Sequence, residues 1–276
     1  MFKDRYRKVN GAKIRFFDEG KGSVVVLVHG FGGSVANWKR NIGPLSKKFR
    51  VIALDMPSFG KSAMPKINWD KINYDLMSDY LKKVLNVLKI KRAAFVGSSM
   101  GGGIVLNFAL RYPKMAEKMV IVGSAGFGRE VFLYRLLAFP FLGRLLVWLT
   151  SREVVARRLV RLVVEDPLTL DEESFYDYIN WQRKPEIQKI LAKFGPKGIS
   201  LRGQRWILVD KLEKLSLPTL IIWGEKDHLV PLKHGQRAHR LIKGSKLVVF
   251  DDCGHIPMME KPEKFNQELL SFLAGD

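Results

Sequence analysis

Ala93-Ala94-Phe95-Val96-Gly97-Ser98-Ser99-Met100-Gly101-Gly102-Gly103 is the stretch on which the reading of this chain turns. A short apolar run ends in Gly-x-Ser-x-Gly, and a helical pattern with more glycine follows at once. Strand, tight turn and helix in that order form the context in which a serine is presented as a nucleophile at the tip of a sharp bend. The glycines flanking Ser99 lack a Cβ, so the chain can fold sharply there and neighbouring segments can approach. Five residues of this kind also arise by chance, so the rest of the chain must supply partners for the hydroxyl.

Outward from Ser99, strands and helices alternate. Asp4 to Asp18 reads as two short strands joined at Asn10-Gly11, a dipeptide suited to a hairpin turn. Ser23 to Val28 is continuously apolar and β-branched, the pattern of a strand covered on both faces of a parallel sheet. It ends in His29-Gly30-Phe31-Gly32-Gly33-Ser34, with Ser34 as the N-cap of a helix. Phe49 to Leu54 is the next strand, Asn73 to Leu88 a helix, and Arg92 to Val96 the strand before Ser99. Met100 to Tyr112 is a helix stopped by Pro113, and Lys118 to Val122 a further strand. Thr219 to Trp223 and Lys246 to Phe250 are strands, separated by a helix from Leu232 to Ile242 and followed by one from Pro262 to Leu273. Such alternation implies an α/β fold, a mostly parallel sheet with helices on both sides.

From Phe127 to about Leu212 the rhythm breaks into helical patterns with no comparable strand run. This divides the chain into a core of residues 1–126 and 213–276 and a helical cap of residues 127–212. Val131 to Leu149 is very apolar, but Arg135, Pro140, Gly143 and Arg144 interrupt it. A membrane span would bury those arginines in hydrocarbon, so the segment reads as two short amphipathic helices around Pro140. An inner face that receives an apolar substrate is the favoured role, with simple packing on the core the alternative and docking on a membrane surface the minor one.

Composition narrows the classes. The apolar share of 47% suits a globular protein with a full core. One cysteine, Cys253, excludes an internal disulfide framework. The charged N-terminus, Met1 to Lys8, has no apolar secretory signal, and a cytoplasmic location is the expectation. A net charge of +20 would suit nucleic acid or an anionic surface, but Lys and Arg are spread along the whole chain. No nucleic-acid module signature accompanies them, and a solvated basic surface is the simpler reading.

Two motifs are decoys. Gly30-x-Gly32 after a strand resembles a dinucleotide fingerprint with Asp55 as the ribose acid, but the third glycine falls on Val35. Gly60-Lys61-Ser62 resembles a phosphate loop, but the glycine it needs five residues earlier is Asp55. Neither nucleotide reading stands.

A serine hydroxyl needs a base to take its proton, and the base needs a carboxylate to orient its ring. Asp227 and His255 each follow the C-terminal end of an expected strand, as Ser99 does. Strand ends of an open parallel sheet share one edge, where ligands bind. Ser99, Asp227 and His255 therefore converge, in the order Ser, Asp, His that this elbow architecture uses. His29 is expected to make structural hydrogen bonds, and His228 sits badly for a base beside Asp227. Asp251 and Asp252 are too near His255 in sequence to be favoured as its acid, and Cys253 reads as a small buried side chain. His29, His228, His234 and His239 lack ligand-like spacing with carboxylates, so no metal is expected, and no cofactor. An oxyanion formed on attack needs preorganised donors, for which the backbone N–H groups of Met100 and Phe31 are the candidates.

With these residues in hand the chain resembles the α/β-hydrolase superfamily over nearly its whole length. The matching motifs are His29-Gly30-Phe31-Gly32, Asp55 to Ser62, Gly97 to Gly102, Gly224-Glu225-Lys226-Asp227 and Gly254-His255. The resemblance implies about eight strands with a helical cap inserted after the sixth. It also implies Ser99, Asp227 and His255 as triad and Phe31 and Met100 at the oxyanion hole. Within the superfamily the chain looks closest to serine carboxylesterases and to hydrolases of meta-cleavage products, which break a C–C bond. That second group typically has a tryptophan after the catalytic histidine and often an asparagine before the nucleophile. Here those positions are Ile256 and Ser98, which turns the expectation toward a carboxylesterase acting on hydrophobic short-to-medium esters. C–C hydrolysis is the alternative, with a lipase or a non-catalytic small-molecule receptor behind it.

Overall fold

The structure, a computed structural model, describes residues 2–129, 145, 148, 149, 152–160, 162–169, 172–184, 187, 197–200 and 202–275. The two amphipathic helices expected around Pro140 lie outside the described residues.

Eight strands form one sheet in the order β1-β2-β4-β3-β5-β6-β9-β10. They are β1 (Arg5–Val9), β2 (Ala12–Glu19), β3 (Val24–Val28), β4 (Arg50–Leu54), β5 (Ala93–Ser98), β6 (Ala116–Val122), β9 (Thr219–Gly224) and β10 (Lys246–Phe250). The β1–β2 hairpin and the β2–β4 pairing are antiparallel, and the other five pairings are parallel. Asn10 at φ 48° and Gly11 at φ 79° make the expected turn, both in the left-handed region that a two-residue hairpin loop requires. On edge strand β1, Arg5, Arg7 and Lys8 are exposed, and such charges discourage pairing with another chain.

The continuous apolar runs are explained by cover on both faces. Val26, Val28, Phe95, Ile121 and Ile221 face a layer that includes α2 (Tyr74–Val87) and α3 (Met100–Arg111), through Leu81, Leu85, Ile104 and Phe108. Their neighbours Val25, Leu27, Val96, Val122 and Ile222 face Trp38, α1 (Lys39–Ser46) through Ile42 and Leu45, and Phe265 and Leu269. Strand periodicity of two thus splits each run between two cores. Leu27 is fully buried, and truncating such a leucine to alanine costs about 2–5 kcal/mol.

Between β6 and β9 the described residues hold α4 (Glu153–Val160), α5 (Glu172–Arg183) and a small antiparallel pair, β7 (Ile199–Ser200) with β8 (Gly203–Gln204). That two-residue hairpin departs from the all-helical expectation for this region. It is too short to leave a hydrophobic period, and Gly203, at φ 102°, pairs with Ser200. α6 (Lys233–Leu241), α7 (Pro257–Glu260) and α8 (Pro262–Ala274) complete the core. No described helix is long and apolar enough to cross a membrane.

Candidate active site

Ser99 sits at the bend between β5 and α3 with φ 53° and ψ −119°, a backbone region that strains any residue with a Cβ. The close packing that holds it there relies on glycine on both sides. A Cβ on Gly97 would lie 2.4 Å from the Gly101 carbonyl oxygen, and one on Gly101 would lie 2.3 Å from that of Val28. The Ser99 N–H donates to the Val122 carbonyl at 2.8 Å, and the Ala125 N–H donates back to the Ser99 carbonyl at 3.1 Å. These bonds tie the bend to the end of β6.

Gly123, next after Val122, is the floor on which the other two residues meet. It lies at φ 50°, and a Cβ there would be 3.1 Å from His255 Nδ1 and 3.3 Å from Asp227 Oδ2. Both His255 and Asp227 are buried, and His255 Nδ1 lies 2.7 Å from Asp227 Oδ2. The other carboxylate oxygen, Oδ1, accepts the N–H of Leu229 at 2.9 Å and of Val230 at 2.8 Å. A carboxylate only accepts, so Nδ1 carries the ring proton and Nε2 is left with its lone pair. His255 and Asp227 are therefore paired beside the bend that carries Ser99, with the ring proton on the side of the carboxylate.

The loop after β3 closes the opposite wall. A Cβ on Gly30 would come within 3.0 Å of Ser99 Cβ, so the loop carrying Phe31 runs directly beside Ser99. His29 is fully buried, with Nδ1 2.7 Å from the Gly30 carbonyl and Nε2 accepting the Met56 N–H at 2.9 Å. Burial pushes its pKa down, which keeps the ring neutral as a hydrogen-bonded strut, the structural role expected for it. The Phe31 ring packs edge-on against Phe59 at 5.8 Å. Met100 opens α3, so its N–H has no partner within the helix. The positive end of that helix points at the site.

Both decoys have structural explanations. Asp55 is buried and accepts the N–H of Val35 at 2.7 Å and of Lys61 at 2.8 Å, with Arg15 Nη1 at 3.4 Å. Gly60, at φ 53°, is glycine because a Cβ would strike that carboxylate at 2.3 Å. Asp55 to Ser62 is thus a loop wrapped around an acid, and Asp55, fully buried with both oxygens engaged, is out of reach of a ribose. Asp252 is exposed and pairs with Lys226 at 2.8 Å, His228 is exposed, and Cys253 is buried. No group of three or more His, Cys, Asp or Glu that could hold a metal occurs among the described residues.

The family model for the alpha/beta hydrolase fold matches residues 23–262. The chain belongs to the α/β-hydrolase family. It is 33% identical over 271 residues to a 2-hydroxy-6-oxononadienedioate/2-hydroxy-6-oxononatrienedioate hydrolase of Comamonas testosteroni, covering 95% of this chain and 92% of the other. It is 32% identical over 277 residues to a 2-hydroxy-6-oxo-6-phenylhexa-2,4-dienoate hydrolase of Burkholderia cepacia, with 95% and 92% covered. Among solved structures, a meta-cleavage product hydrolase from Pseudomonas fluorescens superposes with a TM-score of 0.83 at 27% identity, over 98% of this chain and 97% of that one.

Sequence reasoning missed two residues of this hydrolase that shape the site. Arg15, buried on β2, bridges Asp55 and Asp4, and nothing in its alternating strand marks it as inward-facing. Glu260, at the end of α7, reaches the histidine loop, accepting the Gly254 N–H at 3.0 Å.

Proposed function

We propose that this hydrolase cleaves the acyl–carbon bond of meta-cleavage products, vinylogous diketones of the 2-hydroxy-6-oxo-dienoate type, with Ser99 as nucleophile, His255 as base and Asp227 as its orienting acid. One observation carries the catalytic assignment: His255 bound through Nδ1 to an anchored Asp227 over Gly123, beside the residue that holds the Ser99 amide. The full-length similarity to two hydrolases named for such dienoates supports the substrate class.

In this mechanism Ser99 Oγ attacks the ketone carbonyl as His255 Nε2 takes its proton. The Met100 and Phe31 N–H groups stabilise the oxyanion. The C–C bond then breaks, its electron pair passes to the vinylogous fragment, and that fragment is protonated through His255. Water, activated by the same imidazole, releases the acyl group as a carboxylic acid. The inserted region between β6 and β9 is assigned the role of cap, and its described segment Val163–Glu165 meets the His255 loop.

Ester hydrolysis is the second reading, and a specific observation favours it. The position after His255 is Ile256, whose side chain is buried in the core layer with Trp38 and Phe265, and Ser98 precedes the nucleophile. The deciding measurement is loss of the yellow dienol chromophore beside p-nitrophenyl ester hydrolysis, for wild type and Ser99→Ala. A higher kcat/KM on the dienol supports C–C cleavage, and a higher value on the ester replaces it with the second reading. Activity retained in Ser99→Ala overturns both.

A further inference from the structure

The loop that carries His255 has no regular secondary structure, yet its three successive amides are all satisfied, and by only two sources. Glu260 accepts the N–H of Gly254 at 3.0 Å through Oε2 and that of Ile256 at 3.3 Å through Oε1. The N–H of His255 itself donates to the Val163 carbonyl at 2.7 Å. Val163 belongs to the inserted region after α4, more than ninety residues away in sequence. Glu260 also reaches that region, since its Oε2 accepts the Glu165 N–H at 2.8 Å.

Each side of this arrangement is anchored separately. α7, which presents Glu260, is pinned to α1 by Arg40 Nη1 on the Met259 carbonyl and Asn41 Nδ2 on the Met258 carbonyl, both at 3.2 Å. The inserted segment is held by Glu165, whose carboxylate meets Lys226 at 3.1 Å, one residue from Asp227. Between them the loop is gripped closely enough that Gly254 has no room for a side chain. A Cβ there would lie 2.8 Å from the Val163 carbonyl oxygen and 3.0 Å from the Glu165 nitrogen.

We propose that Glu260 is a positioning residue for the catalytic histidine, clamping the His255 loop between α7 and the inserted segment Val163–Glu165. Seating of that segment and alignment of the imidazole are then a single event. The inference rests on the assignment of His255 as base. A carboxylate accepting several backbone N–H groups makes charge-assisted bonds, stronger than neutral ones, and its loss leaves those donors unpaired. Displacement of a reacting group by about 1 Å is enough to cost about 10²-fold in rate.

The test compares Glu260→Ala, Glu260→Gln and Gly254→Ala in the full chain. Each kcat is normalised to active sites titrated with a fluorophosphonate, at a temperature well below every variant's Tm. Glu260→Ala is expected to lower kcat by about 10²-fold while KM stays within about threefold. Glu260→Gln, whose carbonyl still accepts from Gly254 and Glu165, should recover part of that loss. Gly254→Ala, which forces the segment away while leaving the Glu260 carboxylate in place, should lower kcat likewise, and the double variant should lose less than the product of the two. A normalised kcat within twofold of wild type in Glu260→Ala, or a glutamine no better than alanine, overturns the clamp. His255→Ala is the control. If it stays active, the base assignment fails; if it is dead while Glu260→Ala is unaffected, the clamp alone fails.

Discussion

Asp227→Asn isolates what the carboxylate does for His255. The two backbone amides of Leu229 and Val230 both point at Oδ1, so they select the oxygen of an asparagine for that position. The asparagine NH2 is thereby turned toward His255 Nδ1, where Oδ2 now lies at 2.7 Å. Two donors cannot share that contact, so the ring must move its proton to Nε2, the nitrogen that should take the Ser99 proton. Packing is retained, since the side chains are nearly isosteric, but the base is in the wrong tautomer. A substitution of this kind costs about 10⁴-fold in kcat, equivalent to about 5.4 kcal/mol at 1.36 kcal/mol per decade. Steady-state hydrolysis of a p-nitrophenyl ester, with Tm measured in parallel, reads both quantities. A loss below about tenfold in a variant of unchanged Tm would refute the argument, because the flip is forced by two backbone amides that the mutation leaves in place.

Three further outcomes follow from the same geometry. Ser99→Gly should abolish turnover yet stabilise the fold by about 1 kcal/mol in urea denaturation, since relief of about 1–3 kcal/mol of backbone strain exceeds the added entropy of glycine; a less stable variant contradicts the strain. Asp55→Ala should cost about 3–5 kcal/mol by leaving two amides unpaired in the interior and Arg15 with Asp4 as its remaining carboxylate, and Asp55→Asn should cost less, as one acceptor survives; equal losses would deny the carboxylate its bracing role. Burial lowers the pKa of His29, so the unfolded chain binds a proton on this residue that the native state refuses. Its contribution to stability is therefore complete above the ordinary imidazole value of 6.5 and is lost as pH falls below it, by up to about 1.4 kcal/mol per pH unit. His29→Gln should flatten the profile of unfolding free energy against pH in that window, and an unchanged slope would count against a neutral buried ring.

The fold was legible because its strands are buried on both faces. That burial writes Val24 to Val28 and Thr219 to Gly224 as unbroken apolar runs, each ending in a polar or glycine-rich loop. The placement of the Asp227–His255 pair beside the Ser99 bend was legible for the same reason, since parallel strand ends share an edge. What escaped depends on contacts between distant segments. Glu260 acts through backbone amides, which carry no mark in a sequence, and its partner at Glu165 is a main-chain nitrogen too. Asp55 invited a ribose reading because a buried acid that braces loops and one that binds a ligand look alike until their partners are known. Ile256 turned the expectation toward esters, whereas the named relatives lie on the C–C side. A single position after the histidine reports local packing, here the core layer shared with Trp38 and Phe265, as well as substrate.

The left-handed backbone at Ser99 also limits which nucleophiles this scaffold can accept. At φ 53° a β-branched residue is strongly disfavoured, whereas unbranched side chains are strained less. Threonine offers the same hydroxyl, but branching at Cβ makes that left-handed backbone far costlier for it than for serine. Exchange of the attacking atom is therefore open to cysteine and aspartate, sulfur or carboxylate oxygen in place of the alkoxide, and least open to the substitution that is chemically the most conservative. In this fold the shape of the main chain, ahead of hydroxyl reactivity, sets the repertoire of reactions reachable by a single change.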